Sequence, residues 1–283
     1  MTRSAFTARM NGFRMLWILS IALCCGCAIA PAPGPAPLPA AEWNQDIDAS
    51  LQIWRPTISG KLKVGSESVT GTNLGLRDEL GFDRYEVLNS LNIKGYLDTN
   101  WFLDLNYVSY DQTGHSLLDH DVYYAGQMIP SGSTLSSSLD FSYLSLNLGR
   151  KLYSHRGLTY GVKAGLLGIK GESDIATESP PATLVGPFSS HDDWTLLMPA
   201  AGAFASYLTR QGFEFSGDVQ GTFIKYRNSK AHYLDAEGRL AYYFADNIMA
   251  YLGYHYIYLD TSDDDIDFFT RLKGPTLGFT FRF

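Results

Sequence analysis

From Trp54 to the C-terminus the chain alternates apolar and polar side chains with a period of two, and it shows no long 3.6-residue helical spacing. The clearest run puts Phe213, Phe215, Gly217, Val219, Gly221 and Phe223 on one face and Glu214, Ser216, Asp218, Gln220 and Thr222 on the other. Because successive strand side chains point to opposite sides, each such run predicts a strand with one apolar and one polar face. Further runs fall at Trp54–Val64, Tyr85–Leu97, Trp101–Tyr107, Leu139–Leu152, Leu158–Leu166, Leu197–Tyr207, Leu234–Phe244, Ile248–Tyr258 and the last ten residues. Short turns (Asp98-Thr99-Asn100, Ser154 to Gly157, Thr209 to Gly212, Ala245-Asp246-Asn247) alternate with long polar stretches (Gly65–Arg84, Asp111–Thr134, Gly171–Asp192, Asp260–Asp267). The fourth run changes phase between Tyr143 and Leu144, which predicts a bulge there.

The chain ends Gly274-Pro275-Thr276-Leu277-Gly278-Phe279-Thr280-Phe281-Arg282-Phe283, stopping on its apolar face. This segment resembles the closing strand of Gram-negative outer-membrane β-barrels. The resemblance implies that Phe279, Phe281 and Phe283 form a C-terminal signal for the barrel-assembly machinery. Thr72 to Phe82 (TNLGLRDELGF) resembles a loop found in a largely uncharacterised group of such barrels. There Leu74, Leu76, Leu80 and Phe82 are expected to fold over the barrel mouth.

A soluble sandwich would alternate in the same way, so the choice rests on which face is buried. Short turns at one end, long loops at the other, and outward rows of aromatic and small residues favour hydrocarbon as the outer solvent. The polar faces then line a lumen, collecting Arg55, Lys61, Lys63, Lys94, Asp104, Lys163, Glu214, Asp218, Asp235, Glu237 and Arg239, charges of both signs expected to pair. Aromatic residues near strand ends, among them Trp54, Tyr85, Tyr96, Trp101, Tyr107, Tyr110, Tyr160, Trp194, Tyr207, Tyr233, Tyr254 and Tyr256, fit interfacial girdles. Arg271 and Lys273 share the parity of the terminal phenylalanines, which requires either a bulge at Gly274-Pro275 or a position above the membrane.

Arg3, Arg9 and Arg14 precede the apolar stretch Met15 to Leu23, and small residues run on to Ala30, the pattern of a secretory signal. Cleavage after Ala30 or near Ala40 or Ala41 both fit, and residues 31–39 form a Pro/Ala leader. All three cysteines, Cys24, Cys25 and Cys27, lie in this segment, leaving an exported domain without thiols. Leu23 to Cys27 resembles a lipobox with its Leu one position too far upstream, so lipidation at Cys27 is the alternative. The mean hydropathy of -0.09 excludes a bundle of membrane helices, and the net charge of -7 argues against a nucleic-acid partner.

Candidate chemistry is sparse. His115, His120 with Asp121, and His191 beside Asp192 and Asp193 lie in expected outer loops, where a histidine oriented by a carboxylate would suit a hydrolase. Their spacing matches neither the omptin proteases nor the lipid A deacylases. Asp263, Asp264 and Asp265, with Asp260 and Asp267, offer oxygen ligands to a divalent cation or a bridge to lipopolysaccharide phosphates. His255 and Tyr258 on the ninth run read as lumen or rim packing. No phosphate loop, Cys/His metal spacing or nucleophile elbow occurs, so no cofactor is expected.

The expectation is an all-β, transmembrane, antiparallel up-and-down barrel of about ten strands, with eight or twelve open, spanning residues 42–283 behind a leader at 1–41. It is expected in the outer membrane, among lipid and lipopolysaccharide. The leading function is a structural or surface-interaction role with a side-chain-filled lumen. The alternatives are a narrow porin-like channel for small solutes and a surface-loop hydrolase acting on peptide or lipid A.

Overall fold

The computed structural model describes residues 47–65, 70–179, 188–226, 229–262 and 266–283. Their regular elements are all strands: β1 (Ile47–Trp54), β2 (Thr57–Val64), β3 (Leu74–Gly75), β4 (Leu88–Tyr96), β5 (Trp101–Leu117), β6 (Val122–Tyr124), β7 (Gln127–Ile129), β8 (Thr134–His155), β9 (Leu158–Ser179), β10 (Ser189–Leu208), β11 (Phe213–Tyr226), β12 (Ser229–Ala245), β13 (Ile248–Ser262) and β14 (Ile266–Arg282). The leader, Cys27 and Asp263 to Asp265 lie outside the described residues.

β1 and β2 form one wall strand interrupted at Arg55-Pro56. β14 pairs with both in a single register, from Asp48 opposite Arg282 to Val64 opposite Ile266. The order β1, β4, β5, β8, β9, β10, β11, β12, β13, β14 closes as β14 returns to β1, giving a closed ten-stranded antiparallel barrel, with the short β3 added on β2. Closure matters because an unpaired edge in hydrocarbon would cost several kcal/mol per backbone group, in round terms. Turns of two or four residues suffice at one end, and the two-residue turn Arg156-Gly157 takes positive φ (53° and 84°), as the right-handed twist of a tight hairpin requires.

A strand needs about 9–11 residues to cross a bilayer, yet β8 and β9 have 22 residues each. The excess rises as a continuous cylinder above the membrane, and along it the faces exchange character. On β9, Val162, Ala164 and Leu166 face out with Lys163 and Gly165 inside; higher up, Lys170, Glu172 and Asp174 face out while Leu167, Ile169 and Ile175 are buried. On β14, Leu277 and Phe279 face out below, and Lys273 and Arg271 above, with Leu272 and Phe268 inside. Below, the outside meets lipid and the inside is polar; above, the outside meets water and the inside must be apolar.

That inversion corrects several expectations. The first wall strand begins at Ile47, not Trp54. Its apolar row Trp54, Ile58, Leu62 and Val64 is buried inside, so Arg55, Lys61 and Lys63 are outer-face residues and not lumen charges. No bulge interrupts β8 between Leu135 and Lys151: Leu139 and Tyr143 point in, Leu144, Leu146 and Leu148 point out, and both phases are real. Gly274-Pro275 carries no bulge either, which leaves Arg271 and Lys273 above the apolar band. Of the stretch Gly171 to Asp192, residues 171–179 and 189–192 are strand. Of the girdle candidates, Trp54, Tyr110 and Tyr233 are interior residues of the upper barrel, as is Trp194, which covers Gly171 and packs on Phe268. Tyr96 also turns inward.

The segment 70–85 dips into the mouth. Leu74, Leu76, Leu80 and Phe82 are nearly fully buried there, as expected, and the segment is held from the wall at two of its carbonyls. Ser137 Oγ donates to Leu80 O, Ser116 Oγ to Glu79 O, and Glu79 caps Gly75 N at 2.7 Å. The β6–β7 hairpin adds Val122, Tyr124 and Ile129 to the same core. Leu80→Ala is expected to cost about 2–5 kcal/mol, the range for a buried leucine, read as a lower urea midpoint in detergent micelles. An unchanged midpoint would mean the segment does not contribute to the core.

Candidate functional site: the filled lumen

Eight of the eleven charges expected in the lumen point into it: Lys94, Asp104, Lys163, Glu214, Asp218, Asp235, Glu237 and Arg239. Alternation on β4, β5, β9, β11 and β12 brings them there. They form three tiers together with residues that the sequence reading left out.

Nearest the short turns, Asp48 accepts from Tyr96 Oη at 2.9 Å and pairs with Arg282 Nε at 3.1 Å. Glu214 accepts from Tyr243, over whose ring Arg282 lies at 4.9 Å. Lys94 sits 4.9 Å over the Phe102 ring. Phe102 covers Gly149 on the next strand and Phe204 covers Gly161, and the two rings meet edge to face at 5.2 Å.

The middle tier is ionic. Lys163 Nζ lies 2.6 Å from Asp218 and 3.8 Å from Asp104, and Asn92 Nδ2 donates to Asp104 at 2.6 Å. Arg239 pairs with Glu237, which also accepts from Gln52 Nε2 at 3.0 Å. Asn147 Nδ2 donates to Gln220 Oε1 at 3.2 Å. Charges taken from water survive burial when they are paired and also hydrogen-bonded, as Asp104 is by Asn92 and Glu237 by Gln52, while Asn147 Oδ1 in the same tier is buried without a partner.

The upper tier converges on Asp235, only 5% exposed. It accepts from Tyr143 Oη at 2.9 Å, Tyr233 Oη at 2.9 Å and Gln220 Nε2 at 3.3 Å, and joins His255 Nε2 at 2.7 Å. His255 packs at a tilt against Trp54, with centroids 4.4 Å apart. Above Trp54 the interior becomes the apolar core described above. Two cavities there, one lined by Leu76, Leu80 and Ile175 and the other by Trp54, Phe141 and Ile257, measure about 10 and 20 Å³, room for about a single water each.

Asp48, Gln52, Asn92, Tyr143, Asn147, Tyr233, Tyr243 and Arg282 were among the lumen residues missed. Asp48, Ser50 and Gln52 alternate with Ile47, Ala49, Leu51 and Ile53, a signal present in the sequence one strand-half upstream of where the first run was begun.

The loop histidines do not converge. His191 Nδ1 meets Asp174 at 2.7 Å on the outer wall, His115 meets Glu178 at 3.2 Å, and His120 meets Asp119. Ser138 Oγ also donates to Asp174, at 3.2 Å, so the carboxylate stands between serine and histidine where base catalysis would want the histidine. Asp174 raises the His191 pKa by its hydrogen bond and charge, and Lys170 lowers that of Glu172 in the same way. All four side chains are exposed and screened. Phe279 and Phe283 lie exposed on the outer face, with Phe281 half-buried between them.

Among solved structures, the chain is similar to the outer-membrane protease OmpT of Escherichia coli, at 13% identity and a TM-score of 0.54 over 86% of this chain and 100% of that one. It also aligns with the transport unit of the autotransporter AIDA-I of E. coli (10%, TM-score 0.44, 86% and 92%). A third alignment is with the translocator domain of the autotransporter NalP of Neisseria meningitidis (10%, TM-score 0.40, 95% and 94%). No protein-family model and no curated sequence matches the chain. The fold is that of the Gram-negative outer-membrane β-barrels.

Proposed function

We propose that this protein is a closed, non-conducting outer-membrane barrel that holds a rigid cylinder and its loops at the cell surface in a structural or surface-interaction role. The observation that carries the reading is the continuity of the filling, from the Asp48–Arg282 pair through the Asp235 cluster to Phe82 in the mouth. A solute path would need a polar, water-lined passage, whereas the upper interior is filled by a continuous cluster of buried apolar side chains among the described residues. On this reading the leader at 1–41 directs export, the barrel-assembly machinery reads Phe279, Phe281 and Phe283, and the partners are outer-membrane lipid and lipopolysaccharide.

Reconstituted into planar bilayers, the full-length barrel is expected to insert without steady conductance. Stable unitary steps from the intact protein would remove the proposal in favour of a narrow channel.

A further inference from the structure

We infer that the outer wall formed by β14, β2 and the segment entering β4 is a docking site for the phosphate groups of an outer-leaflet lipid. β14 and β2 run in one register, so Lys273 lies opposite Thr57, Arg271 opposite Ser59 and Phe269 opposite Lys61. Arg55 stands opposite Pro275, donating its N–H to Pro275 O, and Arg84 is tied alongside by Ile58 N to Arg84 O. Five cations, Arg55, Lys61, Arg84, Arg271 and Lys273, therefore share one patch about 20 Å tall and a few strand spacings wide. None has an ion-pair partner among the described residues, whereas the neighbouring Lys63 is matched by Asp267 at 2.9 Å. The guanidinium Nε of Arg271 is buried without a hydrogen-bond partner, a donor left over.

The height of the patch selects the ligand. Directly below it on the same strands come Leu277, Phe279 and Ile53, all facing lipid. Tyr254, Tyr256 and Tyr258 on β13 border it, and Arg55 and Arg84 lie over the Tyr85 ring at 5.0 and 5.3 Å. Cations just above an apolar band, set among interfacial aromatic rings, stand where lipid headgroups stand. Acids begin at its margins, with Asp83 beside Arg84 and Asp260 opposite Phe269. On the far wall the same zone carries the opposite sign: Asp111, Asp140, Glu172 and Asp193 follow one another across β5, β8, β9 and β10. The positive patch is thus a local feature and not a ring around the barrel. Arginine forks suit phosphate oxygens, and the lysines add point charge. The site depends on outer-membrane placement and is independent of whether the lumen conducts.

The test uses the full-length barrel in neutral detergent and the midpoint of its heat-modifiable gel shift. Added lipopolysaccharide is expected to raise the midpoint. In a variant with Arg55, Lys61, Arg84, Arg271 and Lys273 all changed to Gln, about tenfold more lipid or higher should be needed for the same rise. Lys170→Gln with Lys225→Gln, removing outer cations elsewhere, should respond as the parent does. Should the five-site variant fail to fold, Arg271→Gln with Lys273→Gln is expected to show a smaller weakening in the same direction. An undiminished response in the folded patch variant would overturn the site. So would an equal rise with dephosphorylated lipopolysaccharide, or with inorganic phosphate alone.

Discussion

Asp235→Ala is expected to lower barrel stability by about 3–5 kcal/mol, the range for breaking a buried pair on one side. The size follows from how many donors one carboxylate satisfies. Tyr143, Tyr233, Gln220 and His255 all turn toward it, and all four are buried. Each orphaned polar group costs roughly 1–3 kcal/mol, partly recovered where Tyr233 and Gln220 still reach Tyr143 Oη. Asp235→Asn keeps the shape and one acceptor oxygen but turns an NH2 toward donors, so it should fall between parent and Ala. Urea unfolding in detergent micelles, followed by tryptophan fluorescence, reads both. Equal midpoints for parent and Ala would show that the cluster is ornamental.

The second large effect lies at the turn end of the barrel. A Cβ added to Gly149 would come within 2.1 Å of the Phe102 ring, and Phe102 is 2% exposed with Phe204 against it. Glycine weakens a strand, but here the ring covers the bare backbone and recovers apolar contact. Phe102→Ala should therefore cost about 3–5 kcal/mol, and Gly149→Val about 1–3 kcal/mol through forced displacement of the ring. The pair is coupled: with the ring gone, the valine has room. The double variant should be more stable than the sum of the single losses by about 0.5–3 kcal/mol. Strict additivity would mean that ring and glycine do not act as one unit.

Much of the architecture was legible without coordinates because a lipid-facing wall leaves a simple trace. β11, β12 and the lower half of β14 alternate cleanly, and the polar sides of β11 and β12 do hold Glu214, Asp218, Asp235, Glu237 and Arg239 inward. The faces were misread above the membrane, and near the short turns Tyr96, Asp48 and Arg282 were not recognised as lumen residues. Trp54 to Val64 alternates as well as any strand, and nothing local says whether its apolar row meets lipid or a protein core. The same holds for Leu139 and Tyr143 against Leu144 to Leu148. A phase change looked like a bulge, although it was the solvent outside that changed.

The primary sequence by itself determined the two-fold periodicity, the turn positions and the aromatic terminal strand, since strand pleat and chemistry at alternate positions are local properties. Tertiary structure decided which face of each strand is inside, how far the cylinder rises above the bilayer, and which charges meet. Those depend on the medium at each height and on partners in distant segments. Asp48 waits for Tyr96 and Arg282, and Asp235 for side chains from β8, β11 and β13, and no local spacing records where a closing barrel brings them together.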